Sequence, residues 1–586
     1  MGNLNECLCP ASCRDCYDLN IKTIATPAVQ AFYTIYTMKL ASTLSFVTSS
    51  LLLLELASAI DPCTKIAQWN GWKGVGGWEE SKACLESFPF NRKVALQTLD
   101  TLIDGFNSFY VFKDIAASPP KSHLSISKVD IIKELGALKN KDYQSDFAFQ
   151  NDIQNIVFSL YDAHVNYEPN CYGPNWFWQQ ALLLYAPVEK GAQKLKIYGI
   201  TKGYLPSVTT DLIECEVVEI DDKPGFEVII DYAKEKGGKL KDLNVRLNVA
   251  LMTTNRYINR QFTDYYGSWQ VRHQLPEKPL TKYKLSCPNG KSQTMTLPWI
   301  VFPPTNVNFS DSSYYAQECA LPTQTASKPR QLPQKLTPPP RNLQTQLGHP
   351  GPADTHHQQT VASNFTQVVE DEMFYFGYYL KGNGIRYNTG VIHIDTFEPS
   401  SLSSAEYTFI QGIKAFLKLG IEKVVLDVQN NGAQALLHVL FNDNINATTP
   451  DLEYATDILV SSQSLILGKT EASYPNYDPF NDDYYSIDGK LLSSDSWLTN
   501  SIKYNRGGRI SRYSQRVRSD CSAFIYNLVQ KLSANGIGLL PWTLTDYTIV
   551  SNGNCGSSCA LFTNRLHQLK GVKTIAVGGI LNISMS

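Results

Sequence analysis

Residues 547–562 read YTIVSNGNCGSSCALF, which is an apolar strand-like run, a turn and the start of a helix. After the turn, apolar residues recur at helical spacing, at Phe562, Leu566 and Leu569. Ser557 therefore falls on a tight turn between a strand and a helix, where a nucleophile can be exposed. The free backbone amides of the helix's first turn can stabilise a developing oxyanion beside it. The stretch predicts an α/β fold and a site suited to acyl transfer.

From about residue 366 onward the sequence alternates strands with helices. Predicted strands cover 390–395, 423–428, 547–550 and 572–577, and predicted helices cover 403–419, 433–441, 521–534 and a segment opening at Ser557. Such alternation implies βαβ crossovers and a mainly parallel sheet. Active sites of such sheets lie beyond the carboxyl ends of the strands. Two predicted turns, 429–432 and 551–557, are at such ends.

The part of the chain before residue 366 divides by pattern into three segments. Residues 60–170 are predicted to be a helical domain, because 94–109 and 147–161 carry apolar residues at helical spacing. Residues 171–305 contain short alternating runs separated by Gly, Pro and Asn, which predict a β module. Residues 320–365 are rich in Pro and Gln and predict a flexible linker or a surface insertion. The α/β core then covers residues 366–586.

Composition limits the classes of function. A chain of 586 residues is too long for one compact domain, and a net charge of −2 argues against a general nucleic-acid binder. We expect no cofactor and no metal. The cysteines near the start could form a metal knuckle, but they lack two matched C-x-x-C pairs: Cys7, Cys9, Cys13 and Cys16. The alternative is that Met38 is the true start and that residues 1–37 are an extension.

Residues 38–59 have the pattern of a secretory signal peptide. Met38-Lys39 provides a basic start, an apolar stretch follows, and Ala57-Ser58-Ala59 provides the small residues of a cleavage site. A membrane anchor is the rival interpretation of this segment. We expect cleavage after Ala59 and a mature chain that is exported through the secretory pathway to the cell exterior, with no stable membrane span.

An exported chain is expected to form disulfides and to carry glycans. Nine cysteines follow Ala59, and proximity favours the pair Cys63–Cys84. The odd number leaves one thiol unpaired or paired outside the chain. Four N-glycosylation sequons are present, at Asn308, Asn364, Asn446 and Asn582.

Three motifs, taken in order, resemble a known family. They are Asp162-Ala163-His164, the strand and turn from Val424 to Gly432, and the stretch from Cys555 to Phe562. The chain resembles the secreted fungal branch of the tail-specific (C-terminal-processing) serine peptidases, which is similar to the chlamydial protease-like activity factor. The resemblance spans residues 61–580. It implies a helical N-terminal part, a PDZ-like β module and a mainly parallel peptidase core of crotonase-like or ClpP-like type.

The resemblance also implies roles for five residues. Ser557 is implied as the nucleophile, His164 as the general base and Asp162 as the nearby acid. The oxyanion donors fall on the backbone amides of Gly432 and Ser558, and such donors and a base are what acyl transfer requires. Each residue also has a plainer interpretation. Ser557 can be a helix cap with Ser558 as the nucleophile, His164 can cap the preceding helix, and Asp162 can be a solvated acid.

The sequence departs from the family pattern in places. The catalytic lysine of bacterial relatives falls on Asn582, which leaves the histidine-type mechanism. The chain ends at Ser586, before the glycine-rich strands and the glutamate that the family adds further on. We therefore expect a C-terminally incomplete core.

The resemblance implies a secreted serine endopeptidase that cuts protein or peptide substrates through an acyl-enzyme. Fungal members of the family also occur in pathways that cut ribosomally made precursor peptides into cyclic toxins, so a mycotoxin precursor is an allowed substrate. The alternative is a catalytically inactive secreted protein that binds peptides through the PDZ-like module. There a peptide would add a strand to a sheet edge.

Overall fold

The structure is a computed structural model of the chain. It describes residues 19–20, 61–69, 74–122, 124, 126–169, 171–172, 176–201, 203–251, 255–258, 261–264, 266–304, 309, 314–315, 353–355, 364–382, 384–394, 400–429, 456–473, 484–486, 490, 496–519, 528, 530–555 and 558–585. The predicted signal peptide at 38–59 and the predicted helix at 433–441 lie outside these residues. Among the helices that are described, none has both the length and the apolar character needed to cross a bilayer.

Helices make up most of the N-terminal part. They are α1 Thr64–Ala67, α2 Trp78–Glu86, α3 Arg92–Phe109, α4 Lys113–Ala117, α5 Ile131–Leu138 and α6 Asp146–Phe158, with short strands β1 Leu19–Asn20, β2 Gly74–Val75 and β3 Val165–Asn166. The side chains of Asn91 and Ser145 start α3 and α6, because each accepts hydrogen bonds from first-turn amides. The disulfide Cys63–Cys84 links the start of α1 to α2, so the predicted pair is confirmed.

The β module follows. Its strands are β4 Phe177–Gln179, β5 Leu182–Tyr185, β6 Val188–Glu189, β7 Ala192–Gln193, β8 Lys196–Thr201, β9 Glu216–Ile220, β10 Lys223–Pro224, β11 Asn255–Ile258, β12 Gln261–Asp264, β13 Val271–Arg272, β14 Leu280–Ser286, β15 Ser292–Pro298, β16 Ile300–Phe302 and β17 Ala353–Thr355, and its helices are α7 Gly225–Glu235 and α8 Leu243–Ala250. The main sheet has the order β15-β14-β9-β8-β17, with β5 on β8 and β10 on β9. Strand β17 comes from the segment that the sequence predicts as a linker.

Helix α8 lies in a stretch that the sequence predicts to be β-like runs, and there the prediction is wrong. The helix, with the sequence LNVRLNVA, has no solvent-exposed polar face, because its polar and apolar side chains are buried alike. Asn244, Arg246 and Asn248 are as inaccessible as Val245 and Leu247. A helix that is buried on all sides gives no amphipathic signal.

The core contains an α/β sheet. Its elements are β18 Phe365–Glu370, β19 Phe374–Tyr379, β20 Thr389–Ile394, α9 Leu402–Lys418, β21 Lys423–Asp427, α10 Ser462–Ser473, β22 Tyr484–Ser486, α11 Ser496–Thr499, β23 Ile502–Arg506, β24 Arg509–Tyr513, β25 Val517–Ser519, β26 Tyr547–Ser551, α12 Ser558–Lys570 and β27 Lys573–Ala576. The sheet runs β18-β19-β20-β21-β26-β27, and the pairs from β20 to β27 are parallel. The predicted α/β class, with its helical N-terminal part and β module, is confirmed.

We call the turn predicted at 551–557 the serine turn. The helical spacing that follows it places apolar side chains in the core. Cys559, Phe562 and Leu566 are fully buried on one face of α12, and α9 contributes Phe409 and Phe416 to the same core. Burial of such side chains contributes about 1.5–3 kcal/mol each. The start of α12 is thereby fixed against the sheet, beyond the carboxyl end of β26.

Candidate active site

The serine turn begins where β26 ends at the carboxyl edge of the sheet. The amide of Val428 donates to Val550 (2.9 Å), and that of Val577 donates to Ser551 (2.9 Å). The turn is ordered by its own side chains, since Gly553 N donates to Ser551 Oγ (3.0 Å). The serine turn therefore lies beyond the carboxyl ends of the strands, where parallel α/β folds bind ligands.

Two of the predicted residues, Ser557 and Gly432, lie outside the described residues. Ser558 is the first residue of α12, where backbone amides lack partners within the helix. The disulfide Cys555–Cys559 links the chain on the two sides of Ser557. The roles of Ser557, Gly432 and Ser558 stay predictions.

Asp162 and His164 lie together on the turn that follows α6. His164 Nδ1 is 3.7 Å from Asp162 Oδ1, and the same oxygen accepts the backbone N–H of His164 at 3.1 Å. The hydroxyl of Tyr110 donates to Asp162 Oδ2 at 3.2 Å. The His164 side chain is 36% exposed and that of Asp162 is 13% exposed. Nδ1 is thus the ring nitrogen that faces the carboxylate, as in a histidine that an acid orients.

The Asp162 carboxylate is favoured as the charged form. Burial raises the pKa of Asp162, but the nearby His164 ring, the backbone N–H of His164 and the charge of Lys241 outweigh it and hold the pKa below its ordinary value. Burial and the negative charge of Asp162 raise the pKa of Tyr110, so its hydroxyl stays a neutral donor. An anionic carboxylate beside an imidazole stabilises the imidazolium that forms when the ring takes a proton.

A second histidine–aspartate pair lies in the sheet, and the sequence interpretation missed it. His393 on β20 and Asp427 on β21 are register partners, with His393 Nδ1 3.4 Å from Asp427 Oδ2. Gln429 donates to Asp427 Oδ1 from its backbone (3.2 Å) and its side chain (3.1 Å). Burial raises the pKa of Asp427, but the contacts with His393 and Gln429 hold it below its ordinary value. The signal available in the sequence was that both residues come near the ends of consecutive predicted strands.

Two of the four sequons can be located. Asn364 and Asn582 are exposed, as a glycosylated residue must be, whereas Asn308 and Asn446 lie outside the described residues. In the part of the chain that the structure describes, no group of three or more His, Cys, Asp or Glu side chains is arranged to hold a metal ion. The early cysteines Cys7, Cys9, Cys13 and Cys16 are outside that part.

Comparison with known proteins finds likenesses among solved structures. Mature CPAF, the chlamydial protease-like activity factor, is 15% identical over 83% of each chain, with a TM-score of 0.45. The photosystem II D1 C-terminal processing protease is 11% identical over 82% of this chain and 79% of its own, with a TM-score of 0.20. A putative S41 protease from Bacteroides fragilis is 8% identical over 68% of this chain and 65% of its own, with a TM-score of 0.19. No protein-family model matches the sequence, and neither does any curated protein.

Proposed function

We propose that the chain is an exported serine peptidase in which Ser557 is the nucleophile, His164 the general base and Asp162 the residue that orients His164. The observation that carries the proposal is the Asp162–His164 pair, whose carboxylate is held by Tyr110 and by the His164 backbone. The His164 ring is partly exposed, as the ring of a general base must be. A histidine that merely capped α6 would not need an oriented, charged carboxylate at Nδ1.

The proposed chemistry is acyl transfer. His164 Nε2 takes the proton of Ser557 Oγ as that oxygen bonds to the carbonyl carbon of the substrate. The backbone amides of Gly432 and Ser558 stabilise the negative oxygen of the tetrahedral intermediate. The proton then passes from His164 to the leaving amine, and the peptide bond breaks. Water, deprotonated by the same histidine, hydrolyses the acyl-enzyme and restores Ser557.

The substrate class is a protein or a peptide, with no cofactor in the reaction. The sequence resemblance extends this proposal to ribosomally made precursor peptides of fungal toxin pathways. Export is supported by the disulfides Cys63–Cys84, Cys215–Cys287 and Cys555–Cys559, since disulfides persist in oxidising compartments. The exposed sequons at Asn364 and Asn582 suit the same route.

A fluorophosphonate probe, which reacts with activated serines, tests the nucleophile. We expect the folded wild type to label and Ser557→Ala not to label. Ser558→Ala is the matched control, because it removes the neighbouring hydroxyl, and it should still label. Labelling lost in Ser558→Ala and kept in Ser557→Ala would move the nucleophile to Ser558. A folded wild type that does not label would leave the inactive peptide-binding alternative.

A further inference from the structure

Helix α8 buries polar side chains that must find partners. Asn244, Arg246 and Asn248 are 3%, 5% and 4% exposed. Asp242 starts the helix by accepting the amide of Asn244 at 2.7 Å. Burying an amide or a guanidinium is costly unless hydrogen bonds compensate, so the partners indicate why these residues are here.

Asn248 joins the backbone beyond β26 to the backbone beyond β27. Its Nδ2 donates to the carbonyls of Asn552 (2.8 Å) and Val577 (3.0 Å), and its Oδ1 accepts the amide of Gly579 (2.7 Å). Asn552 belongs to the serine turn, which leads to Ser557. An asparagine has the two donors and the acceptor that this position uses, whereas aspartate would have no donor.

The same face of α8 makes further contacts with the serine turn and with residues 577–585, here called the C-terminal segment. Asn244, one turn earlier, accepts the amide of Ile580 (3.0 Å) and donates to the carbonyl of Ser584 (3.0 Å). A Cβ on Gly553, whose φ is +76°, would come within 2.3 Å of Val245 Cγ2. The serine turn therefore lies so close to α8 that glycine is required at this point.

The turn that carries Asp162 and His164, here called the histidine turn, is held by the other side of the same helix. Arg246 is two residues from both Asn244 and Asn248, so it leaves α8 on the opposite side. Its guanidinium lies 4.1 Å from the centre of the Tyr161 ring, and both side chains donate to the Lys234 carbonyl, at 2.7 Å and 2.6 Å. Tyr161 precedes Asp162 and has a φ of +46°, which a bulky residue adopts only when its surroundings hold it there.

Lys241, in the loop before α8, adds to this attachment. Its Nζ donates to the carbonyl of Tyr161 at 3.2 Å and to that of Leu160 at 3.4 Å. These carbonyls lie just beyond the C-terminal end of α6, where a lysine is also favourable for the helix dipole. The turn that carries Asp162 and His164 is thus tied to the α8 region from two directions.

We propose that α8 is the spacer that sets the distance between the turn carrying Asp162 and His164 and the described part of the serine turn, residues 551–555, with Asn248 and Arg246 as positioning residues. The proposal rests on the proposed function, since it assigns to the β module the task of aligning the two halves of that site. Neither residue contacts substrate. Asn248 acts through the serine turn, and Arg246 acts through Tyr161 and the histidine turn.

Labelling kinetics with the fluorophosphonate probe test Asn248. Asn248→Asp keeps the size of the side chain and removes both donors. We expect its maximal labelling rate to fall about 10- to 100-fold, because small misplacements of reacting groups cost this much, while the probe concentration at half-maximal rate stays near the wild-type value. Gln193→Ala is the matched control. It loses two contacts with the C-terminal segment, to Gly579 and Leu581, and none with the serine turn.

A second set of variants does not depend on how well Asn248→Asp folds. Gly553→Ala places a methyl group against Val245 and should slow labelling, and adding Val245→Ala should restore part of the rate. On the other side, Arg246→Lys keeps a cation near Tyr161 and should label faster than Arg246→Met.

The outcomes separate the two proposals. Labelling that falls equally in Asn248→Asp and Gln193→Ala, with no recovery in the Gly553/Val245 double variant, would overturn the spacer role while leaving Ser557 as the nucleophile. The proposed function and the spacer role would both be overturned if the wild type did not label, or if its labelling rate equalled that of Ser557→Ala.

Discussion

Two histidine–aspartate pairs occur among the residues that the structure describes, with similar electrostatics and different surroundings. Asp162 and His164 are two residues apart on a turn, and the histidine side chain is 36% exposed. His393 and Asp427 are register partners on neighbouring strands, and that histidine side chain is 17% exposed. In both pairs Nδ1 faces the carboxylate, and in both the pKa of the carboxyl lies below its ordinary value. A short histidine–carboxylate distance therefore does not by itself identify a base.

What distinguishes the pairs is what each one can reach. His393 is positioned by the register of β20 on β21, and its carboxylate partner lies on the neighbouring strand. A histidine on a turn can face a substrate, provided that other elements hold the turn. Here Tyr110, Tyr161 and Lys241 do so. We therefore propose the reactive role for His164 and a structural role for His393.

Replacing each histidine by glutamine gives the largest expected effect. His164→Gln removes the proposed base, and the fluorophosphonate labelling rate should fall about 10²- to 10⁴-fold. His393→Gln should label near the wild-type rate at a temperature where circular dichroism shows both variants to be folded. The reverse order of rates would assign the base to the sheet pair and contradict the comparison.

Asp427→Asn should act on stability. The variant loses a charged partner of His393 and Gln429, so the free energy of unfolding at pH 7 should fall by about 1–3 kcal/mol, measured by urea denaturation with disulfides intact. The pKa of Asp427 is lower in the folded chain than its ordinary value of 3.8. The stabilisation is therefore present above pH 3.8 and is lost as the pH falls through the folded pKa.

The difference in stability between wild type and Asp427→Asn should consequently shrink at acid pH. A difference that grows as the pH falls below 3.8 would show that the sheet pair is not held by an ionised carboxylate. Labelling by Asp427→Asn at neutral pH should stay near the wild-type rate, because this pair is assigned to the sheet.

Tyr110→Phe gives the smallest expected effect. It removes one hydrogen bond to Asp162, worth about 0.5–1.5 kcal/mol, so labelling should slow about 2- to 10-fold. Tyr143→Phe is the matched control in the same helical part, because Tyr143 donates to Asp152 at 2.8 Å, away from His164. Equal labelling rates in the two variants would remove Tyr110 from the set of residues that orient the pair.

Local patterns predicted much of the fold. The helix predicted at 403–419 is observed as Leu402–Lys418, and the strand predicted at 547–550 is observed as Tyr547–Ser551. Both have a surface that differs from side to side, so apolar periodicity reports them. Helix α8 was missed because it is buried all round, and the His393–Asp427 pair was missed because the register of two strands brings it together.

By itself, the sequence determined the parallel strands of the α/β core, the position of the serine turn and the pairing of Cys63 with Cys84, since each depends on residues close in the chain. The tertiary structure alone decided which distant groups meet. Asn248 reaches Asn552 across 304 residues, and one short helix contacts both the serine turn and the histidine turn. Such contacts depend on how separate elements pack, and the periodicity of any one segment contains no information about its partner.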